Sequence, residues 1–235
     1  MVPSRRAAAL LTVLCTTVAL VACSTPESEP QADPSNVPTS SVAAPSDVDV
    51  ARLAAIAGDF PTDFPPKPPF TPGKVDQEHA HLVGDTVSSG RPFTVDPPHC
   101  RALFKPIDAQ GGADRLGVGA EGPGKQLLNV SVYSPVSVPA ALPATGCERM
   151  SFHVEDDAVL TDGTAERLAA PNIDGAATTA VSVRTDFFEY VEYFYVAILD
   201  SRTFVQVVAR VHPDFQAQPL LPDLLTKAVT ALRGQ

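Results

Sequence analysis

Phe187-Phe188-Glu189-Tyr190-Val191-Glu192-Tyr193-Phe194-Tyr195-Val196-Ala197-Ile198-Leu199, then Asp200-Ser201-Arg202, then Thr203-Phe204-Val205-Gln206-Val207-Val208-Ala209-Arg210-Val211, is the stretch that decides the fold. Aromatic and β-branched residues fill both runs and a polar triplet separates them, which predicts two antiparallel strands joined by a tight turn. Large apolar side chains occupy both parities of the first run: Phe188, Tyr190 and Phe194 on one, Val191, Tyr193 and Tyr195 on the other. Central strands covered on both sides look like this, and so does a sheet with one face left open as an aromatic ligand surface. The covered reading is favoured. Under the open one, Tyr190, Phe194 and Phe188 are the candidate ligand-surface residues.

Outward from the hairpin, Leu127 to Val132 and Thr178 to Arg184 alternate as strands do. Pro222-Asp223 followed by Leu224, Leu225, Ala228, Val229 and Leu232 predicts a C-terminal helix with one apolar stripe. Near the start of the domain, Ser46-Asp47-Val48-Asp49 reads as a helix cap. Val50, Leu53, Ala54 and Ala57 form the stripe of that helix, which ends at Gly58. Phe60 and Phe64 lie in a Pro-rich strap that cannot be helical, and they are expected to pin it to the core. Gln77 to Val83 is expected to form a short helix, and Pro97-Pro98 opens another through Leu103 and Phe104. Strict strand-helix-strand alternation is missing, so a parallel doubly wound sheet is not expected. The fold class that follows is α+β: a central antiparallel sheet with packed helices and one disulfide, in a single domain over residues 47–235.

The first 22 residues have another job. Arg5 and Arg6 precede an apolar run from Ala7 to Leu20, too short to span a bilayer, which needs about 20 apolar residues. Leu20-Val21-Ala22-Cys23 then fits a bacterial lipoprotein signal, in which the Cys23 thiol takes a diacylglyceryl group before cleavage and acyl chains such as palmitate hold the product on the membrane. An ordinary secretory signal cut near Ala22 is the plainer alternative. Ser4-Arg5-Arg6 suggests a twin-arginine route, but Ala7-Ala8 stands where that signal has a bulky residue. Residues 23–46 are Ser, Pro, Thr, Ala and Glu with hardly a large apolar side chain, and read as a disordered tether. The expected location is the extracytoplasmic face of the cell membrane, lipid-anchored through Cys23.

Loss of Arg5 and Arg6 takes the formal charge from −10 to −12. An exterior this acidic argues against a nucleic-acid partner, because Lys and Arg supply most non-specific phosphate binding. Of four cysteines, Cys15 leaves with the signal and Cys23 is lipidated. Cys100 and Cys147 remain where disulfides persist, and their pairing closes a loop of about 47 residues. Two separate thiols are the alternative.

No motif for catalysis stands up. Gly117-Val118-Gly119-Ala120-Glu121-Gly122 spells a dinucleotide fingerprint, but Pro123-Gly124 follows where a helix must begin, and Gln126 stands where a phosphate loop needs Ser or Thr. Both are read as chance matches in a Gly-rich loop. His79 and His81 lack further spaced ligands, so neither metal nor cofactor is expected. G-x-S-x-G, S-x-x-K and H-E-x-x-H are missing; His99, His153 and His212 have no spacing that marks a triad. Asp156-Asp157 reads as a turn, and the sequon at Asn129 falls inside a strand.

The lipobox, the tether, Gly58-Asp59-Phe60-Pro61, Asp96-Pro97-Pro98-His99-Cys100 and the second cysteine Cys147 together resemble the mycobacterial sensor-domain lipoproteins, and more distantly the extracellular domain of the receptor kinase PknH. The resemblance implies an α+β fold with a central antiparallel sheet, a ligand groove and no known catalysis. The kinase sensor has two disulfides where this chain can form one. The expected function is a non-enzymatic envelope lipoprotein acting as a ligand-binding or sensor module, for an apolar or glycolipid ligand or an envelope protein partner. A cell-wall or lipid hydrolase with a non-motif active site, and an assembly scaffold, are the alternatives.

Overall fold

The computed structural model describes residues 48–155, 161–186 and 189–235. Cys23, the signal and tether, Asp156-Asp157, Phe187 and Phe188 lie outside the described residues. Nine strands make one sheet: β1 (Gly73–Lys74), β2 (Phe93–Asp96), β3 (Asp108–Glu121), β4 (Leu127–Ser137), β5 (Arg149–Val154), β6 (Thr161–Leu168), β7 (Ala176–Thr185), β8 (Val191–Leu199) and β9 (Thr203–Val211). Their order is β1-β3-β4-β9-β8-β7-β6-β5-β2, and every pairing is antiparallel. The hairpin β8–β9 is the centre of the sheet, turning through Asp200 and Ser201 at φ 50° and 53°. Asp and Ser are short polar residues that hydrogen-bond locally in turns, and Asp tolerates that left-handed backbone better than most.

The helix-covered face carries Leu116 and Val118 of β3, Val130 and Val132 of β4, Val205 and Val207 of β9, and Tyr195 and Ala197 of β8. Over them lie a 3₁₀ helix, Val50–Asp59, and the long C-terminal helix Leu220–Arg233. Asp49 caps the former, its carboxylate accepting from Ala51 N at 3.0 Å. The 3₁₀ period of three brings Ile56 inward beside Val50 and Leu53, and leaves Ala54 and Ala57 partly buried, so the inward stripe is tighter than an α-helical reading gives. Leu221, Leu224, Leu225, Ala228, Val229 and Leu232 are the buried stripe of the C-terminal helix. Phe60 and Phe64 are buried too, and Phe64 meets Phe215 edge to face at 5.9 Å.

The opposite face is closed by irregular chain between Val75 and Ile107, which includes a 3₁₀ turn at Ala80–Leu82 and the short helix α1 (Arg101–Phe104). Phe93, Leu103, Phe104, Phe152, Val181, Val183 and Phe194 pack together there, with the Cys100–Cys147 disulfide at their centre. Both parities of β8 are therefore core: Val196 and Ile198 beneath the irregular chain, Tyr195 and Ala197 beneath the helices. Tyr195 Oη accepts from Gln218 Nε2 at 2.8 Å. Burial, then the neighbouring Tyr193, pushes its hydroxyl pKa up, against the pull of the Gln218 hydrogen bond.

The Gly-rich segment expected to be a loop is instead the longest strand, Asp108–Glu121. Its apolar positions are sparse, and its pairing with β4 supplies what its own side chains do not signal. Gly117 and Gly119 sit in mid-strand opposite Ser131 and Asn129, and only a three-residue 3₁₀ turn, Pro123–Lys125, stands between this strand and β4. Among the described residues, no helix is long and apolar enough to cross a membrane.

Candidate functional site

The irregular chain does not close its face completely. Between the segment Asp85–Arg91 and the ends of β7, β8 and β9 lies a cleft of about 300 Å³. Its floor comes from side chains two apart on neighbouring strands. Phe194 stands opposite Val208, and one step outward Glu192 stands opposite Arg210 and Val183. Tyr190 and Thr185 form the outer rim. Two of the three aromatic candidates thus meet here in different roles: Phe194 is buried in the floor, whereas Tyr190 is half-buried and donates from Oη to the Gly124 carbonyl at 3.3 Å.

One carboxylate shapes the opposite wall. Asp85 accepts from the backbone N–H of Val87, Ser88 and Gly90 at 3.1, 2.8 and 2.7 Å and from Ser88 Oγ at 2.5 Å. Burial alone raises the pKa of such a carboxyl, but the Ser88 hydroxyl and these three N–H groups outweigh it and hold Asp85 below the ordinary carboxylate range. Gly90, at φ 84°, allows the return of the loop; a Cβ there lies 2.3 Å from the His81 ring. Lys105 fastens the same chain from beneath, donating to the carbonyls of His81 and Val83. Its pKa is lowered by burial, with Asp108 and Asp85 opposing. The polar groups of the wall are thus satisfied one by one. Sequence reading missed this loop, although Asp85 followed by Thr, Ser and Gly carries the composition of an Asx-type turn.

Charge in the cleft balances: Arg210 Nε donates to Glu192, and Arg91 stands with Asp85 on the other wall. Polar rim and apolar floor together suit an amphipathic small molecule and not an acyl chain alone, which strips water from the Glu192–Arg210 pair without replacing it.

The histidines separate. His153 Nδ1 lies 2.7 Å from Asp162 Oδ1, on the part of the helix-side face beyond the helices' reach, with Ser151 two residues along the same strand. Among the described residues, no hydrogen bond joins Ser151 to His153, and the N–H groups of β5 are spent in ladders with β2 and β6. His212 Nδ1 pairs with Asp214 at 2.8 Å on the surface. His79 is exposed, 3.8 Å from Asp76. His99 lies 3.6 Å from Cys100 Sγ, but the disulfide takes the sulfurs of Cys100 and Cys147, the other members of a potential ligand group.

The family described as Domain of unknown function (DUF5642) matches residues 49–233. The chain belongs to the DUF5642 family. The match begins at the cap of the first helix and ends at the last residue of the C-terminal helix, so it spans the whole sheet and the helices that cover it. The uncharacterised Rv0999 ortholog of Mycobacterium smegmatis has the same fold at a TM-score of 0.57 and 23% identity, over 80% of this chain and 98% of that one. The extracellular domain of PknH from Mycobacterium tuberculosis overlaps at 0.39 and 13% identity, over 80% of this chain and 93% of its own. At that overlap the PknH domain bears on neither the cleft nor its chemistry. Among curated proteins none matches this sequence. The α+β fold with its single disulfide, and the likeness to the mycobacterial sensor-domain group, stand as expected from the sequence.

Proposed function

We propose that this DUF5642 protein is a non-enzymatic envelope lipoprotein, anchored through Cys23, that binds a ligand in the cleft between Tyr190 and Phe194. The observation that carries the reading is the opening beside Asp85–Arg91: it exposes the floor of an otherwise doubly covered hairpin to a rim of paired charges. A wall pre-formed by the Asp85 hydrogen bonds suits binding, since little ordering is left for the ligand to induce. The lipobox supports an extracytoplasmic location. An apolar lipid alone fits poorly; an amphipathic or sugar-bearing one fits the mixed lining.

Native mass spectrometry of the full lipoprotein purified from its own membrane tests this. A reproducible extra mass that disappears from the Arg210→Ala variant is expected. A bare acylated chain in every preparation sinks the reading and leaves a scaffold that acts through protein partners.

A hydrolase is the second reading, and the His153–Asp162 pair favours it. It requires a nucleophile, for which Ser151 is the nearest residue along the strand, and oxyanion donors, which the engaged ladder amides of β5 do not offer. Turnover of a fluorogenic ester that vanishes in both Ser151→Ala and His153→Ala is the result that establishes it.

A further inference from the structure

On the face that holds the cleft, strand register sets out rows that run straight across the sheet. One row is Phe194, Val208, Asn129 and Gly119, from β8 through β9 and β4 to β3. Beside it, on the Tyr190 side, runs Glu192, Arg210, Leu127 and Glu121. The first two members of each row lie in the cleft. The last two line a second hollow of about 310 Å³, with Lys67 at its end. Three strand spacings separate Phe194 from Gly119, about 14 Å.

The floor between the hollows mixes apolar and polar side chains. Val208 is half-buried and Leu127 is 43% exposed, so apolar surface continues outward from Phe194. Asn129, opposite Val208, adds a side-chain amide whose Oδ1 leans toward Gly117 and Gly119, and Gln206, next to this row on β9, adds another. At Gly117 and Gly119 the β3 floor has no side chains, which deepens the trough. Its charges are paired at both ends, Glu192 with Arg210 and Lys67 with Glu121 at 3.5 Å.

We infer that this trough takes a linear chain of uncharged sugar rings, with one end seated in the Tyr190–Phe194 cleft. The inference rests on the cleft being the ligand site. Sugar rings offer apolar C–H faces flanked by hydroxyls, which matches apolar steps interleaved with amides and carboxylate–guanidinium pairs. An anionic ligand finds no surplus cation in a protein of charge −10. An extended peptide finds no free ladder groups, because β8, β9 and β4 are interior strands. An acyl chain strips water from two ion pairs without replacing it.

The test titrates the full lipoprotein in detergent micelles with cellohexaose, chitohexaose and maltohexaose, and with the corresponding disaccharides, by saturation-transfer NMR. At least one hexasaccharide is expected to bind tenfold or more tightly than its disaccharide. Gly119→Val fills the trough, and its Cβ has only Asn129 Oδ1 within 4 Å, at 3.4 Å; an unchanged thermal midpoint verifies that the variant folds. It is expected to erase the length-dependent gain and leave the disaccharide's affinity unchanged. A gain that survives Gly119→Val overturns the trough. No saccharide binding, in a protein that still co-purifies with an extra mass, overturns the glycan assignment and spares the cleft. Binding of a (Gly-Ser)₃ peptide or of palmitate in place of sugars does the same. Neither sugar binding nor extra mass removes both.

Discussion

One face of the sheet is closed by two helices and the other by irregular chain, and the two closures are held by different means. Helices satisfy their own backbone, so Leu221, Leu224, Leu225 and Leu232 need only be apolar and correctly spaced to cover β4, β8 and β9. Outside β2, which pairs with β5, the chain from Val75 to Ile107 has no such ladder. Its polar groups are met individually: by Asp85 for the loop amides, by Lys105 for two carbonyls, by Thr86 Oγ1 donating to the Phe104 carbonyl, and by Arg101, which donates to the Phe93 carbonyl and stacks 3.8 Å over that ring. A disulfide ties the end of this chain to Cys147. Coverage assembled this way leaves gaps where no anchor reaches, and the cleft is such a gap.

Removing the disulfide should show the contrast most strongly. The Cys100→Ser, Cys147→Ser pair is expected to lower stability by about 4 kcal/mol. In hydrogen exchange, protection should fall across residues 93–107 before it falls in the C-terminal helix. Equal loss on both faces breaks the comparison.

Single truncations come next. Leu225→Ala under the helix and Phe194→Ala under the irregular chain are each expected to cost about 3 kcal/mol in urea unfolding. Tyr190→Ala, at the rim, should cost less than about 1 kcal/mol. If Tyr190→Ala matches Phe194→Ala, the rim is core and the cleft is narrower than described.

Asp85→Asn probes the individual anchors and is expected to cost about 1–2 kcal/mol at neutral pH, because N–H donors lose a charged acceptor. The folded carboxyl titrates below its ordinary value of 3.8, so its contribution is complete above that value and lost as pH falls through the lower folded one. Urea midpoints of wild type and variant should therefore differ most near neutrality and converge in acid. A constant difference down to pH 2 excludes the charged anchor.

The smallest effect has the opposite sign. Thr179 Oγ1 is buried in β7 with no partner among the described residues. Thr179→Val keeps the shape and removes that orphan, so a gain of about 1 kcal/mol is expected in the same urea measurement. A loss points to a polar partner for this hydroxyl.

Periodicity and composition made the central hairpin, the C-terminal helix, the two Phe anchors and the α+β class legible, because each carries its own local signal. The disulfide followed from thiol count and compartment. Asp108–Glu121 was illegible: with glycine at 111, 112, 117 and 119, only Leu116, Val118 and Ala120 alternate, a run too short and too Gly-interrupted to announce a strand, and a register shift between Ala109 and Asp114 breaks the pattern before them. The cleft was half legible. Tyr190 and Phe194 announced an aromatic face, but parity could not tell a rim from a floor. That distinction was made by the Asp85 loop stopping short of β8, a contact between segments about a hundred residues apart in the chain. Sequence by itself determined which side chains are apolar and at what spacing. Tertiary structure alone decided which apolar surface stayed uncovered, because burial depends on what arrives from elsewhere in the chain.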